Sequence, residues 1–434
     1  MSAMRHKRLS AQLVAWGWLS LTMILSACGG GAPPRTDNPT RGALPTIISV
    51  PLRLRGEVIR VANAARVEIL ASLQAHTSTV NRIDIAPDSS LLLTIDAEGK
   101  AIVWDLMTYG ERHRFGGTVI RYGFFSADGT VIAVVRGDHQ VSFVAARDGR
   151  ILETFPAGVG EVTRAAVDPT RTTLAVGGNE GVITLWDMAT HRQGTVIMPT
   201  AAGNIRALAL APNATRLISI ANTYQSTGSD TLFIYSFPEG VSKPEKAGAA
   251  LRSFPNLSPQ NIVFSPDGIR FAVGFLPEST GTPLPNIFPR LRLYDAENGM
   301  LVFDLTDPDL FPNRGIAFSP DGRVIAVLGQ GDDVFLLDAA TGAIIGKLPG
   351  HGGAARSAAF NPTGDLFLST TIRPNVGAYL WQSASFQAGA QDYPRGILAP
   401  QNNGFLVGVW SADGTLIALA DGSGGVFLLG VPKP

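Results

Sequence analysis

From about residue 79 onward the chain alternates short apolar runs with polar turns, and the alternation repeats. One unit shows the pattern. Gly315-Ile316-Ala317-Phe318 leads into the turn Ser319-Pro320-Asp321-Gly322, and Val324 to Leu328 follows it. A third run, Val334 to Leu337, ends in Asp338-Ala339-Ala340-Thr341-Gly342, and a fourth spans Ile344 to Leu348. Short runs of β-branched and apolar residues bounded by turn residues predict strands. Several lack polar alternation, as expected of strands covered on both faces.

The turn after the first strand recurs eight times. It reads APDS at 86–89, SADG at 126–129, DPTR at 168–171, APNA at 211–214, SPDG at 265–268, SPDG at 319–322, NPTG at 361–364 and SADG at 411–414. Proline at the second position presets φ, aspartate bonds back to its own backbone, and glycine takes the left-handed position. Four antiparallel strands repeated at this spacing predict a blade of a β-propeller. The fold expected is therefore all-β: a single propeller of four-stranded antiparallel blades, eight in number. Seven is the alternative, should one turn in the irregular fourth or seventh unit be misassigned. The last unit supplies strands at Leu416 to Ala420 and Val426 to Leu429, and the sequence stops at Pro434. Its fourth strand is expected from Val67 to Leu73, so that an N-terminal strand closes the ring and leaves no sheet edge.

Trp104-Asp105 and Trp186-Asp187 stand at the ends of third strands. In this the chain resembles the WD-repeat family over residues 58–431, the first unit most closely. The resemblance implies a buried hydrogen-bonded set in that unit: His76 between blades, Thr94 in the second strand, Asp96 in the following turn, and Trp104. Other units keep pieces of it, such as Trp186, and Gly350-His351 with Trp381. It also implies a rigid platform for another protein.

The N-terminus reads differently. Arg5, Lys7 and Arg8 precede an apolar run from Leu9 to Leu25 that is short for a spanning helix, which needs ~20 residues. A basic start, an apolar middle and small residues at its end describe a secretory signal. Leu25-Ser26-Ala27-Cys28 resembles the lipobox of bacterial lipoproteins, which implies lipidation of Cys28, the single cysteine. The domains expected are a signal peptide at 1–27, a lipidated cysteine with a Gly/Pro/Thr-rich tether at 28–57, and the propeller at 58–434. The location expected is the bacterial cell envelope, outside the cytoplasmic membrane.

Composition narrows the function. Lys plus Arg and Asp plus Glu each number 35, so no net positive charge exists to neutralise a phosphate backbone, and nucleic acid is not expected as a partner. One cysteine excludes a disulfide framework or a CxxC metal site. No phosphate-binding loop, zinc-protease or nucleophile-elbow motif occurs, and His76, His113, His139, His191 and His351 lack close ligand spacing. No metal, cofactor or catalytic residue is expected. The turn at Asp338 resembles that of quinone-cofactor propellers, but Ala343-Ile344-Ile345-Gly346 carries no tryptophan after it.

Long loops gather on one predicted face: 222–230, 276–290 and 371–377 between second and third strands, and 306–314 and 391–403 between blades. Insertions on one face of a repeat fold mark binding. Tyr224, Phe288, Arg290, Phe311, Arg314 and Arg373 are the anchors expected there, because aromatic and arginine side chains dominate interface energy. The function expected is a lipid-anchored, non-enzymatic monomeric ring that binds an unidentified protein. Its rivals are a structural subunit of an envelope assembly machine, similar to the eight-bladed lipoprotein that helps insert outer-membrane barrels, and a lactonase-like or quinoprotein-like propeller using its channel.

Overall fold

The computed structural model describes residues 56–432, apart from 199–201, 224–228, 238–248, 256, 278–289, 308, 311–314, 330–332, 350–354, 373–376, 384–394 and 398–403. The chain divides into two compact units, Met1–Thr46 and Ile47–Pro434, and the described residues all fall in the second. No helix among them is long and apolar enough to cross a membrane.

The described strands form eight four-stranded antiparallel sheets, the blades of a propeller ring. Blade 1 runs Val80–Ile85, Leu91–Asp96, Ala101–Asp105 and Gly110–Arg114, from the channel outward. The inner strands of blades 2 to 8 are Ile120–Phe125, Val162–Val167, Ala202–Leu210, Leu257–Phe264, Ile316–Phe318, Ala355–Phe360 and Phe405–Trp410. All eight turns expected from sequence join an inner strand to the second strand, which settles the blade count at eight.

Seven of these turns carry a side chain that also satisfies a backbone donor. In SADG at 126–129 the buried Ser126 hydroxyl donates to Asp128 at 2.6 Å and accepts from the Val131 N–H at 3.1 Å, while Gly129 sits at φ +70°. Asn361 does the same in blade 7, accepting from the Leu366 N–H at 2.9 Å. Side-chain caps of this kind meet donors that the two-residue turn leaves unpaired.

The second and third strands explain the unalternating apolar runs. Leu91–Asp96 is buried at every position. Leu91, Leu93 and Ile95 pack on Ile120, Phe125 and Ile132 of blade 2. Leu92, with Ile102 and Trp104, packs on Leu416, Ala418 and Leu428 of blade 8. The core is thus a series of inter-blade layers, and each middle strand feeds two of them. Outer strands such as Ile151–Pro156 are largely exposed.

Glu68–Gln74 is the outer strand of blade 8 and pairs antiparallel with Gly425–Gly430, with Ser72 opposite Phe427 and Leu73 opposite Val426. Residues before it extend the closure. Glu57 bridges to Val431, the Ile59 N–H donates to the Gly414 carbonyl at 2.9 Å, and Arg66 donates to the Pro432 carbonyl at 3.0 Å.

Candidate functional site

Blade 1 carries the set implied by the sequence resemblance. The His76 Nδ1 lies 3.0 Å from Asp96 Oδ2 and its Nε2 2.8 Å from Thr94 Oγ1, to which the Trp104 indole donates at 2.9 Å. The other Asp96 oxygen accepts from the Glu98 and Lys100 N–H groups at 3.0 and 2.9 Å. A neutral imidazole with its proton on Nδ1 makes every donor meet an acceptor: indole to hydroxyl, hydroxyl to Nε2, Nδ1–H to carboxylate. Burial lowers the His76 pKa from its ordinary value, against the opposing pull of Asp96. The side chains of His76 and Asp96 are both 0% exposed, so no substrate reaches them. The set ties the loop between blades to the second and third strands.

Elsewhere the set is thinner. Trp381 of blade 7 donates to Ser369 at 2.8 Å, across to the second strand as in blade 1. In blade 3 Val176 occupies that strand, and Trp186 turns instead to Thr184 of its own strand at 3.1 Å. Thr184 in turn donates to the Ala157 carbonyl.

The inner strands present a second pattern. In seven blades the ladder slips five positions before the turn, at Asn81, Arg121, Thr163, Arg206, Gln260, Arg356 and Leu406, and in blade 4 it slips again between Ala202 and Ile205. A bulge re-aims the side chain it carries. Here bulge residues and their neighbours stitch adjacent inner strands together. Arg82 lies over the Tyr122 ring at 4.0 Å, and the Tyr122 hydroxyl donates to the Thr163 carbonyl at 3.0 Å. Thr163 donates to the Ile205 carbonyl at 2.8 Å, and Ser357 to the Gly408 carbonyl at 3.3 Å. Arg206 approaches the Ser258 hydroxyl at 3.4 Å and buried Asp230 at 3.4 Å.

Below this ring of polar residues the channel wall turns apolar: Phe124, Ala166, Ala209, Val263, Ala317, Ala359 and Val409 are all half-buried two positions before their turns. Asp84 alone among those positions is charged. A cavity of about 230 Å³ opens in the wall between Arg82, Asp84, Phe124 and Val407, and another of about 330 Å³ between Arg171, Ala209 and Val263. Among the described residues no cluster of three or more His, Cys, Asp or Glu is placed to hold a metal ion.

Of the expected anchors, Arg290 is not an exposed loop residue. It is 9% exposed, its N–H donates to the Leu305 carbonyl at 2.7 Å, and its carbonyl accepts from the Phe275 N–H at 2.8 Å. Pairing on both sides draws it into the sheet ahead of the third strand Leu291–Asp295. The loop expected at 222–230 is also shorter, because Asn222 pairs with Asp230. Cys28, Tyr224, Phe288, Phe311, Arg314 and Arg373 lie outside the described residues, as do the signal and all of the tether but residues 56–57. The bulge ring was missed from sequence, although setting the eight turns in register and reading five residues back would have found it.

Residues 67–105 match the family model for the WD domain, G-beta repeat. The ring is an eight-bladed β-propeller, and this one segment of it is similar to a WD repeat. The matched segment starts with the closing strand of blade 8 and ends at Trp104-Asp105, so one WD repeat spans parts of two blades. The propeller is 26% identical over 154 residues to cilia- and flagella-associated protein 52 of Chlamydomonas reinhardtii, covering 35% of this chain and 25% of that protein. It is 23% identical over 345 residues to WD repeat-containing protein 82 of Drosophila melanogaster, covering 76% of this chain and 84% of that one. The chain thus spans about a quarter of the length of the first of these relatives.

Proposed function

We propose that this propeller is a non-enzymatic platform that binds another protein at the channel mouth, held outside the cytoplasmic membrane of a bacterium by lipid on Cys28. The observation that carries the platform reading is the ring of bulges. Seven blades carry a bulge at the same register of the inner strand, and six of the seven bulge residues are polar. The motive for the anchor is Leu25-Ser26-Ala27-Cys28 behind a basic, apolar leader. Several acyl chains hold a protein firmly at ~0.8 kcal/mol per buried CH₂.

Two experiments test the two halves. A photoreactive residue at Leu406, a bulge position, should crosslink a protein in intact cells. The same residue at Ile269, beside a turn at the opposite end of the channel and 58% exposed, should not. Equal crosslinking from both positions would contradict the platform reading. Cys28→Ser should release the chain from the membrane fraction or leave its leader uncleaved; unchanged mass and retention would contradict the anchor.

A further inference from the structure

The described inner strands carry five arginines: Arg82, Arg121, Arg164, Arg206 and Arg356, from blades 1, 2, 3, 4 and 7. Their single acid is Asp84, which is engaged by Arg171 through two contacts of 2.7 Å. Among the described residues, the carboxylates at ion-pairing distance from the five are Glu161, 3.7 Å from Arg121, and Asp230, 3.4 Å from Arg206. Arg82, Arg121 and Arg164 stand at successive blades, and the Arg82 pKa is lowered chiefly by burial and further by the charge on Arg164. Arg82 is exposed to the channel while resting on Tyr122, a stacking that leaves the edge of its guanidinium to other partners.

Arginines gathered on the inner strands of a chain of zero formal charge are a local feature, not a reflection of overall basicity. Like charges collected on a rigid wall repel, and the repulsion is relieved by an anion. Arginine pairs with carboxylate through two parallel N–H···O contacts. The arginines belong to separate blades on both sides of blade 8, so one small anion cannot meet them all, whereas an extended segment bearing several carboxylates can.

We propose that the channel mouth binds an acidic, carboxylate-rich peptide segment of the partner through Arg82, Arg121, Arg164 and Arg356. The inference rests on the platform reading and adds to it the chemistry of what docks. Arg206 is left out of the recognition set because it already faces a buried carboxylate.

The test uses the full chain and a short labelled peptide of alternating Glu and Ser, with its Gln/Ser counterpart as control. The acidic peptide should bind, weaken steeply with added salt, and be about tenfold weaker or worse against the combined Arg121→Gln, Arg164→Gln, Arg356→Gln variant. Arg323→Gln, 86% exposed beside a turn at the other end of the channel, should bind as the unsubstituted chain does. Melting at the unsubstituted temperature shows that the combined variant is folded. Equal binding of the Gln/Ser peptide, or no loss in the combined variant, would overturn the proposal. So would displacement of the label by inorganic phosphate at concentrations where acetate has no effect, which would assign the site to phosphate instead. Absence of acidic-peptide binding while the Leu406 crosslink persists would overturn this inference alone; loss of both would overturn the platform reading with it.

Discussion

Arg171 and Asp84 join blade 3 to blade 1 across the width of blade 2. The two guanidinium nitrogens of Arg171 each meet one Asp84 oxygen at 2.7 Å, and the same carboxylate accepts from the Phe125 N–H of blade 2 at 2.9 Å. Burial opposes the charge on Arg171, and Asp84 overcomes that and raises its pKa. Arg171 fills the turn position that glycine holds in other blades, at φ +57°. A non-glycine residue there carries strain of about 1–2 kcal/mol. The strut across three blades offsets it.

Arg171→Ala should therefore destabilise the ring by roughly 1–3 kcal/mol, through loss of the charged contacts. Arg171→Gly should cost less, because it releases the strained backbone. Denaturant unfolding of both variants, with Asp84→Asn and the double variant, gives the coupling between the two side chains. A coupling near zero would remove the strut from the account.

Blade 1 should respond as a connected network. Trp104→Ala should cost on the order of 3–5 kcal/mol as a buried cavity. His76→Ala and Asp96→Ala should each cost roughly 1–3 kcal/mol by leaving buried partners unpaired. The His76/Asp96 double variant should cost less than the two singles added together. Additive losses measured by equilibrium unfolding would contradict the shared network.

The same histidine makes stability depend on pH. His76 and His113 both have pKa values lowered by burial, so the unfolded chain takes up their protons more readily than the folded one. Stability should be full above the ordinary histidine pKa of about 6.5 and fall as pH drops from there towards the lowered folded values. His76→Gln should flatten part of that slope. Aspartates such as Asp128, held below the usual carboxylate range by the Ser126 hydroxyl, add their loss only at lower pH. Thermal melts across this range would show a flat profile if the histidines were protonated in the folded ring.

Closure depends on the outer strand of blade 8. Leu70 and Leu73 are 6% and 2% exposed, and they pack with Val80 and Leu428. Deleting residues 58–75 should open the ring at a sheet edge and abolish cooperative melting, followed by calorimetry. Retention of one sharp transition would show that seven complete blades suffice.

Much of the ring was legible in the sequence because the turn is repeated chemistry. Some of proline, aspartate (or asparagine) and glycine mark each inner hairpin, and strands such as Val324–Leu328 and Ile344–Leu348 follow from their apolar runs. The blade 1 set was legible because His76, Thr94, Asp96 and Trp104 all survive in that repeat. Arg290 was misplaced because strand pairing, not local polarity, decides where a long loop begins and ends. The bulge ring and the Arg171–Asp84 strut were hidden because both depend on blades that are distant in sequence meeting around one channel.

Amide hydrogen exchange on the full chain, alone and in the complex recovered by crosslinking from Leu406, tests the central claim most directly. Binding at the channel mouth should add protection around Asn81, Arg121, Thr163 and Arg356, and leave the turns at 126–129, 265–268 and 319–322 unchanged. Protection confined to those turns or to outer strands such as Ile151–Pro156 would place the partner elsewhere and contradict the account.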